Sequence, residues 1–168
     1  MSQQSIPAPQ PFLPALKPYW RAIAPLTLLA AAAMLLRPNL ALLATASLAI
    51  KIHLAAAVGA LFLGGVMLAS RKGRAFHRIA GWVWVAIMAT VAVSSIFIRT
   101  LNPGHFSWIH GFTAVTLLAL PIGVVAAKRH HVKAHRGTMM GMFLGGLIIA
   151  GLFTFVPGRL MFQMFFGG

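Results

Sequence analysis

Four histidines carry most of the chemistry that this chain offers. His53, His77, His110 and His135 fall on or beside four successive apolar stretches. Imidazole is the commonest biological metal ligand and titrates near neutral pH. If the stretches run antiparallel, His53 and His110 share one level and His77 and His135 share the other. One imidazole from each of two helices, at equal depth across a gap, is the ligand set of a b-type haem. From His53 to the far end of its stretch at Ser70 is roughly 17 residues, or roughly 25 Å of helix, so two haems would stack across a bilayer. Arg78 and Arg136, each next to a histidine, are the candidate partners for haem propionates. Steps from His53 to Ala57, Ala60 and Gly64 leave a groove of small residues, and Gly81 leaves space beside His77. The plainer alternative is that each histidine bonds a carbonyl or a lipid headgroup near a membrane surface, where it costs little. His105, His130 and His131 read as solvated loop residues.

Other chemistries are excluded by what the chain lacks. It has 168 residues, 14 Lys plus Arg, and no Asp or Glu. No side-chain carboxylate is present to act as a general base, to bind Mg²⁺ or Ca²⁺, or to pair with a cation. No cysteine is present, which removes disulfides, thiolate metal sites and iron–sulfur clusters. Ser94 and Ser95 read as mid-helix residues with no histidine at their depth, so a serine nucleophile is not expected. Met139, Met140 and Met142 lie near His135 and have soft thioether sulfurs, but they read as core filling.

The elements that position these residues are membrane helices. Hydrophobic residues make up 60% of the chain and charged residues 8%, far from the balance of a soluble domain. Apolar stretches at 20–36, 46–69, 79–98, 108–127 and 138–156 are each near the ~20 residues that cross a bilayer. The first is shortest and holds Pro25; Pro121 is expected to kink the fourth. The fold class is therefore all-α, an integral membrane bundle of five transmembrane helices with its core in the last four. Residues 1–19 form a Pro-rich arm, 20–157 the bundle and 158–168 a short interfacial tail. Basic residues crowd the second-to-third and fourth-to-fifth connections, "SRKGRAFHR" and "KRHHVKAHRG". The positive-inside rule puts both in the cytoplasm, with the N-terminus in and the C-terminus out. That clustering in short loops reads as an orientation signal and argues against a nucleic-acid partner. The unpaired cations instead call for anionic lipid or another outside anion.

Gly137, Gly141 and Gly145 recur at every fourth position, so another helix approaches closely there. That helix belongs either to the same bundle or to a second membrane subunit or copy. Trp82, Trp84 and Trp108 read as anchors at the membrane interfaces.

The stretches "KIHLAAAVGALFLGG", "RKGRAFHRIAGWVWV", "SWIHGF" and "HRGTMMGMFLGGLIIAGLFTFVPGR" resemble a bacterial family of predicted membrane proteins, domain of unknown function 2306. The best marks are His77, Arg78, Gly81 and Trp82, and then Pro157, Gly158 and Arg159. The resemblance implies an integral membrane protein and no particular activity; the expected location is the bacterial inner membrane. A looser likeness, of architecture only, is to dihaem cytochromes of the b-561 kind. It implies pairing His53 with His110 and His77 with His135. In this chain three of the four histidines read as standing at the very helix ends, and no quinone or ascorbate motif is present. The leading expectation is a non-catalytic subunit of a larger membrane complex. The alternatives are a bis-histidine haem-b electron-transfer protein and a small transporter or channel.

Overall fold

In the computed structural model the described residues are 19–36, 39–98 and 110–167. All regular structure among them is helical. Helix α1 spans Tyr19–Leu36, α2 Leu40–Thr45, α3 Leu48–Ala69, α4 Ala75–Ile96 and α5 His110–Lys128. Helix α6 runs Val132–Phe155 and includes a π-helical segment at Met142–Ile149. A short α7, Leu160–Phe166, ends the fold.

Local chemistry sets the boundaries. Asn39 caps α2 by accepting from the Ala41 N–H at 3.2 Å, and Ser47 caps α3 by accepting from the Ile50 N–H at 3.4 Å. At the other end of α3, Lys72 Nζ donates to the carbonyls of Met67, Leu68 and Ser70 at 2.8, 2.7 and 2.7 Å. This holds a cation against the negative end of the helix. Helix α5 closes with His130 in the left-handed region (φ 57°) and the His131 N–H on Ala126 O at 2.9 Å. That tight reversal leaves three residues, 129–131, before α6 begins.

Four helices, α3 to α6, are long and apolar enough to cross a membrane. The expected first span is also helical, but its described apolar part, Ile23–Ala33, is shorter. Helix α1 packs on α3, with Thr27 and Leu28 against Gly65. Around the bundle α3 packs on α4, α4 on α5, α5 on α6, and the π segment of α6 back on α3. Helices α3 and α5 therefore stand on one diagonal, α4 and α6 on the other. The centre holds Ala60, Leu61, Trp84, Met88, Leu120, Met142, Phe143 and Leu147.

Only 17% to 33% of each spanning segment is buried within the chain. Large apolar side chains such as Leu29, Leu118, Ile122 and Leu152 face outward, as a hydrocarbon solvent requires. Pro25 and Pro121 both lie inside unbroken helices.

Two placements differ from the sequence reading. Helix α6 starts six residues before the expected 138, because its polar first turns, with exposed Lys133 and Arg136, continue the helix beyond the apolar run. Trp84 is not an interfacial anchor. It is 4% exposed and donates Nε1–H to Ala60 O at 2.9 Å, so its polar atom is satisfied in the core. Trp82 does face outward, with Lys128 Nζ 5.6 Å from its ring centre.

Gly64 is where α3 lets α4 and α6 close in: a Cβ there would collide with the Phe143 ring and meet Trp84 Nε1 at 3.1 Å. At Gly59 a Cβ would meet nothing within 4 Å. Gly64→Ala is expected to cost about 1–3 kcal/mol by overpacking, while Gly59→Ala gains up to about 1 kcal/mol from helix propensity. Thermal unfolding of both variants in detergent checks this; equal effects would contradict the packing.

Candidate functional site

Polar side chains gather at the two ends of the bundle. At the end carrying the basic loops, called inner here, His77 lies in the first turn of α4 and His135 in the first turns of α6. Their ring centroids are 6.5 Å apart and their planes cross at 88°. The pair spans a diagonal of the bundle, so it reaches across the interior. His135 Nδ1 lies 2.9 Å from Gly123 O. A carbonyl only accepts, so Nδ1 carries a hydrogen, and in the neutral imidazole the lone pair is on Nε2. His77 Nδ1 is buried and has no hydrogen-bond partner among the described residues. Below the rings, Met139 packs on Gly123 and Met67 approaches Gly81.

Cations surround this pair. Lys72 gives up its proton more readily than an ordinary lysine, first because its ammonium is partly desolvated and second because of the Arg136 charge. Arg78 and Arg136 are exposed beside His77 and His135. Each lies about 100° around its helix from the adjacent imidazole, outside the gap rather than in it.

At the outer end, His53 Nδ1 lies 3.0 Å from Val91 O and 3.1 Å from Ser94 Oγ. The next residue, Ser95, shares a 2.5 Å hydrogen bond with Thr113 Oγ1 on α5. His110, half-buried, opens α5 one turn before Thr113. A polar layer thus runs from His53 through α4 to the turn that carries His110.

The depth assigned to Ser94 from sequence is corrected here. A histidine does stand beside it, because α3 and α4 are antiparallel and Ser94 is near the outer end of α4 rather than its middle. The pair is still not a nucleophile and base. Ser94 gives its own proton to Thr90 O at 2.6 Å or Val91 O at 3.1 Å, and His53 donates toward it. The signal available in the sequence was the period of 3.6 counted back from the end of α4.

The remaining expectations fall as follows. His130 and His131 are exposed loop residues, and His105 and Trp108 lie outside the described residues. Met142 is in the core, and Met139 and Met140 pack against it. A Cβ at Gly137, Gly141 or Gly145 would meet nothing within 4 Å. The glycine stripe therefore does not pack tightly against any described residue.

No group of three or more His, Cys, Asp or Glu exists among the described residues. A donor set of two facing imidazoles suits a metal whose other positions are filled by a macrocycle better than it suits a bare ion. Two metal–nitrogen bonds of about 2 Å, plus about 1 Å from each nitrogen to its ring centre, separate axial ring centroids by about 6 Å. The inner pair meets that separation. Beside His77, a Cβ at Gly81 would meet only Met67 Cε, at 3.7 Å. The centroid separation matches the axial value, and the two rings stand edge to face at 88°.

Residues 50–155 match the family model described as a predicted membrane protein, DUF2306. The chain belongs to that family. No match was found among curated proteins or among solved structures.

Both anchored histidines should hold one tautomer. In haem-free protein above the imidazole pKa range, side-chain ¹⁵N spectra are expected to show His53 and His135 protonated at Nδ1 and bare at Nε2. The opposite tautomer at either would contradict the geometry.

Proposed function

We propose that this chain is a haem-b protein of the bacterial inner membrane that carries electrons between the two membrane faces. It crosses five times, with the N-terminus and the two basic loops in the cytoplasm. His77 and His135 would hold an inner haem, and His53 and His110 an outer one. The observation that carries this reading is the inner pair: two imidazoles from diagonally opposed helices, 6.5 Å apart and crossed at 88°.

Haem supplies a one-electron iron couple; the chain supplies position and environment. Gly123 O orients His135 and makes its Nε2 more basic. Arg78 and Arg136, exposed next to His77 and His135, would pair with propionates, anions that no side chain here supplies. Trp84, Met88, Phe143 and Leu147 keep water out of the space between the tiers. Full-length protein expressed with ample haem is expected to show a Soret band and low-spin α and β bands when reduced. His135→Ala and His53→Ala should each lower the haem-to-protein ratio by about half. No Soret band in the wild type would end this reading.

A second reading, a non-catalytic subunit of a larger complex, is favoured by one observation. The open glycine face of α6 lies on the spanning segment with the smallest buried share, 17%. Close helix contact there requires small residues, so Gly141→Leu is expected to strip co-purifying subunits or dissociate a homo-oligomer without unfolding the chain. Unchanged size and composition in mild detergent would count against it.

A further inference from the structure

We propose that Trp82, Lys128 and Arg129 seat the phosphate of an anionic phospholipid on the outward seam between α4 and α5, whether or not haem is bound. The two helices pack side by side. Trp82 faces out from α4 with 57% of its surface exposed. The Lys128 ammonium, in the last turn of α5, stands 5.6 Å from the centre of that ring. Arg129 follows, and its N–H still bonds Val125 O at 2.9 Å, so it continues the helical register. Counting back from Arg129 by helical turns gives Val125, Ile122 and Leu118, which are 45%, 60% and 68% exposed. This apolar lane descends about 16 Å below Arg129, the depth of one leaflet of a ~30 Å hydrocarbon core.

The lane takes an acyl chain; the charges choose the headgroup. An indole face attracts an ammonium but carries no net charge. With no Asp or Glu in the chain, no side chain neutralises Lys128 or Arg129. A phosphodiester does so where the two cations meet the top of the lane. A zwitterionic headgroup would set its own amine beside two cations, with no carboxylate to receive it, so the seat favours a lipid of net negative charge. Trp82 stands at the boundary of headgroup and acyl chain, where indole is most at home.

The test uses the haem-free full chain in phosphatidylcholine bilayers that contain a small fixed fraction of one lipid brominated on its acyl chains, either phosphatidylglycerol or phosphatidylcholine. Tryptophan quenching that is missing in Trp82→Phe reports lipid at this seam. Brominated phosphatidylglycerol is expected to quench that share more strongly than brominated phosphatidylcholine. Both cations are exposed, so their variants should keep the fold. Lys128→Gln or Arg129→Gln should each lower the preference by up to about fivefold, and the double variant should abolish it. Lys128→Arg, which keeps the charge, should retain it. Equal quenching by the two lipids in the wild type, or a preference that survives the double variant, overturns the assignment and leaves the haem reading standing.

Discussion

With no Asp or Glu in the chain, the main-chain carbonyl is the strongest acceptor a polar side chain can find, and the interior is organised around that fact. Trp84 bonds Ala60 O, His53 bonds Val91 O, His135 bonds Gly123 O, and Lys72 gathers three carbonyls at the end of α3. Thr27, Ser94 and Ser95 return their hydroxyl protons to the helix turn behind them. In hydrocarbon each such group would be costly if left unsatisfied. A carbonyl cannot donate, so every ring nitrogen that meets one must carry the hydrogen. When neutral, the anchored histidines therefore have their lone pair on Nε2, the tautomer that can bind metal.

The same constraint governs charge. Carbonyl dipoles can steady a lysine but cannot neutralise it, and the inner end still gathers Lys72, Arg78 and Arg136 around an imidazole pair. Two propionates per haem would supply the missing anions at that point, and acidic lipid would supply them around the rim. The bundle's shape follows from lipid as solvent: a thin central core, a diagonal His77–His135 contact, and apolar side chains over most of the outer surface.

Much of this was legible in the residues. Apolar length located the spanning helices, because burial in lipid writes a long unbroken signal. The meeting of His77 with His135 followed from antiparallel counting alone. What the sequence hid was local. The polar run before 138 concealed that α6 begins at Val132, because composition marks where hydrocarbon starts and a helix can extend past it into the headgroups. The π segment at Met142–Ile149 has no sequence mark beyond its glycines. Trp84 reads as an anchor until the carbonyl of Ala60 is seen opposite its indole, a contact between residues 24 apart. Ser94 was misjudged in depth because helix ends, unlike helix centres, are poorly fixed by composition.

The central claim is that His77 and His135 grip one iron with crossed rings. Electron paramagnetic resonance of the oxidised, haem-loaded protein tests it most directly. Axial imidazole planes crossed near 88° are expected to give the strongly anisotropic low-spin ferric signal of perpendicular ligands, and His135→Ala should remove it. A rhombic signal typical of parallel rings that is lost in His135→Ala, a spectrum unchanged by His135→Ala, or no haem signal at all would contradict the account.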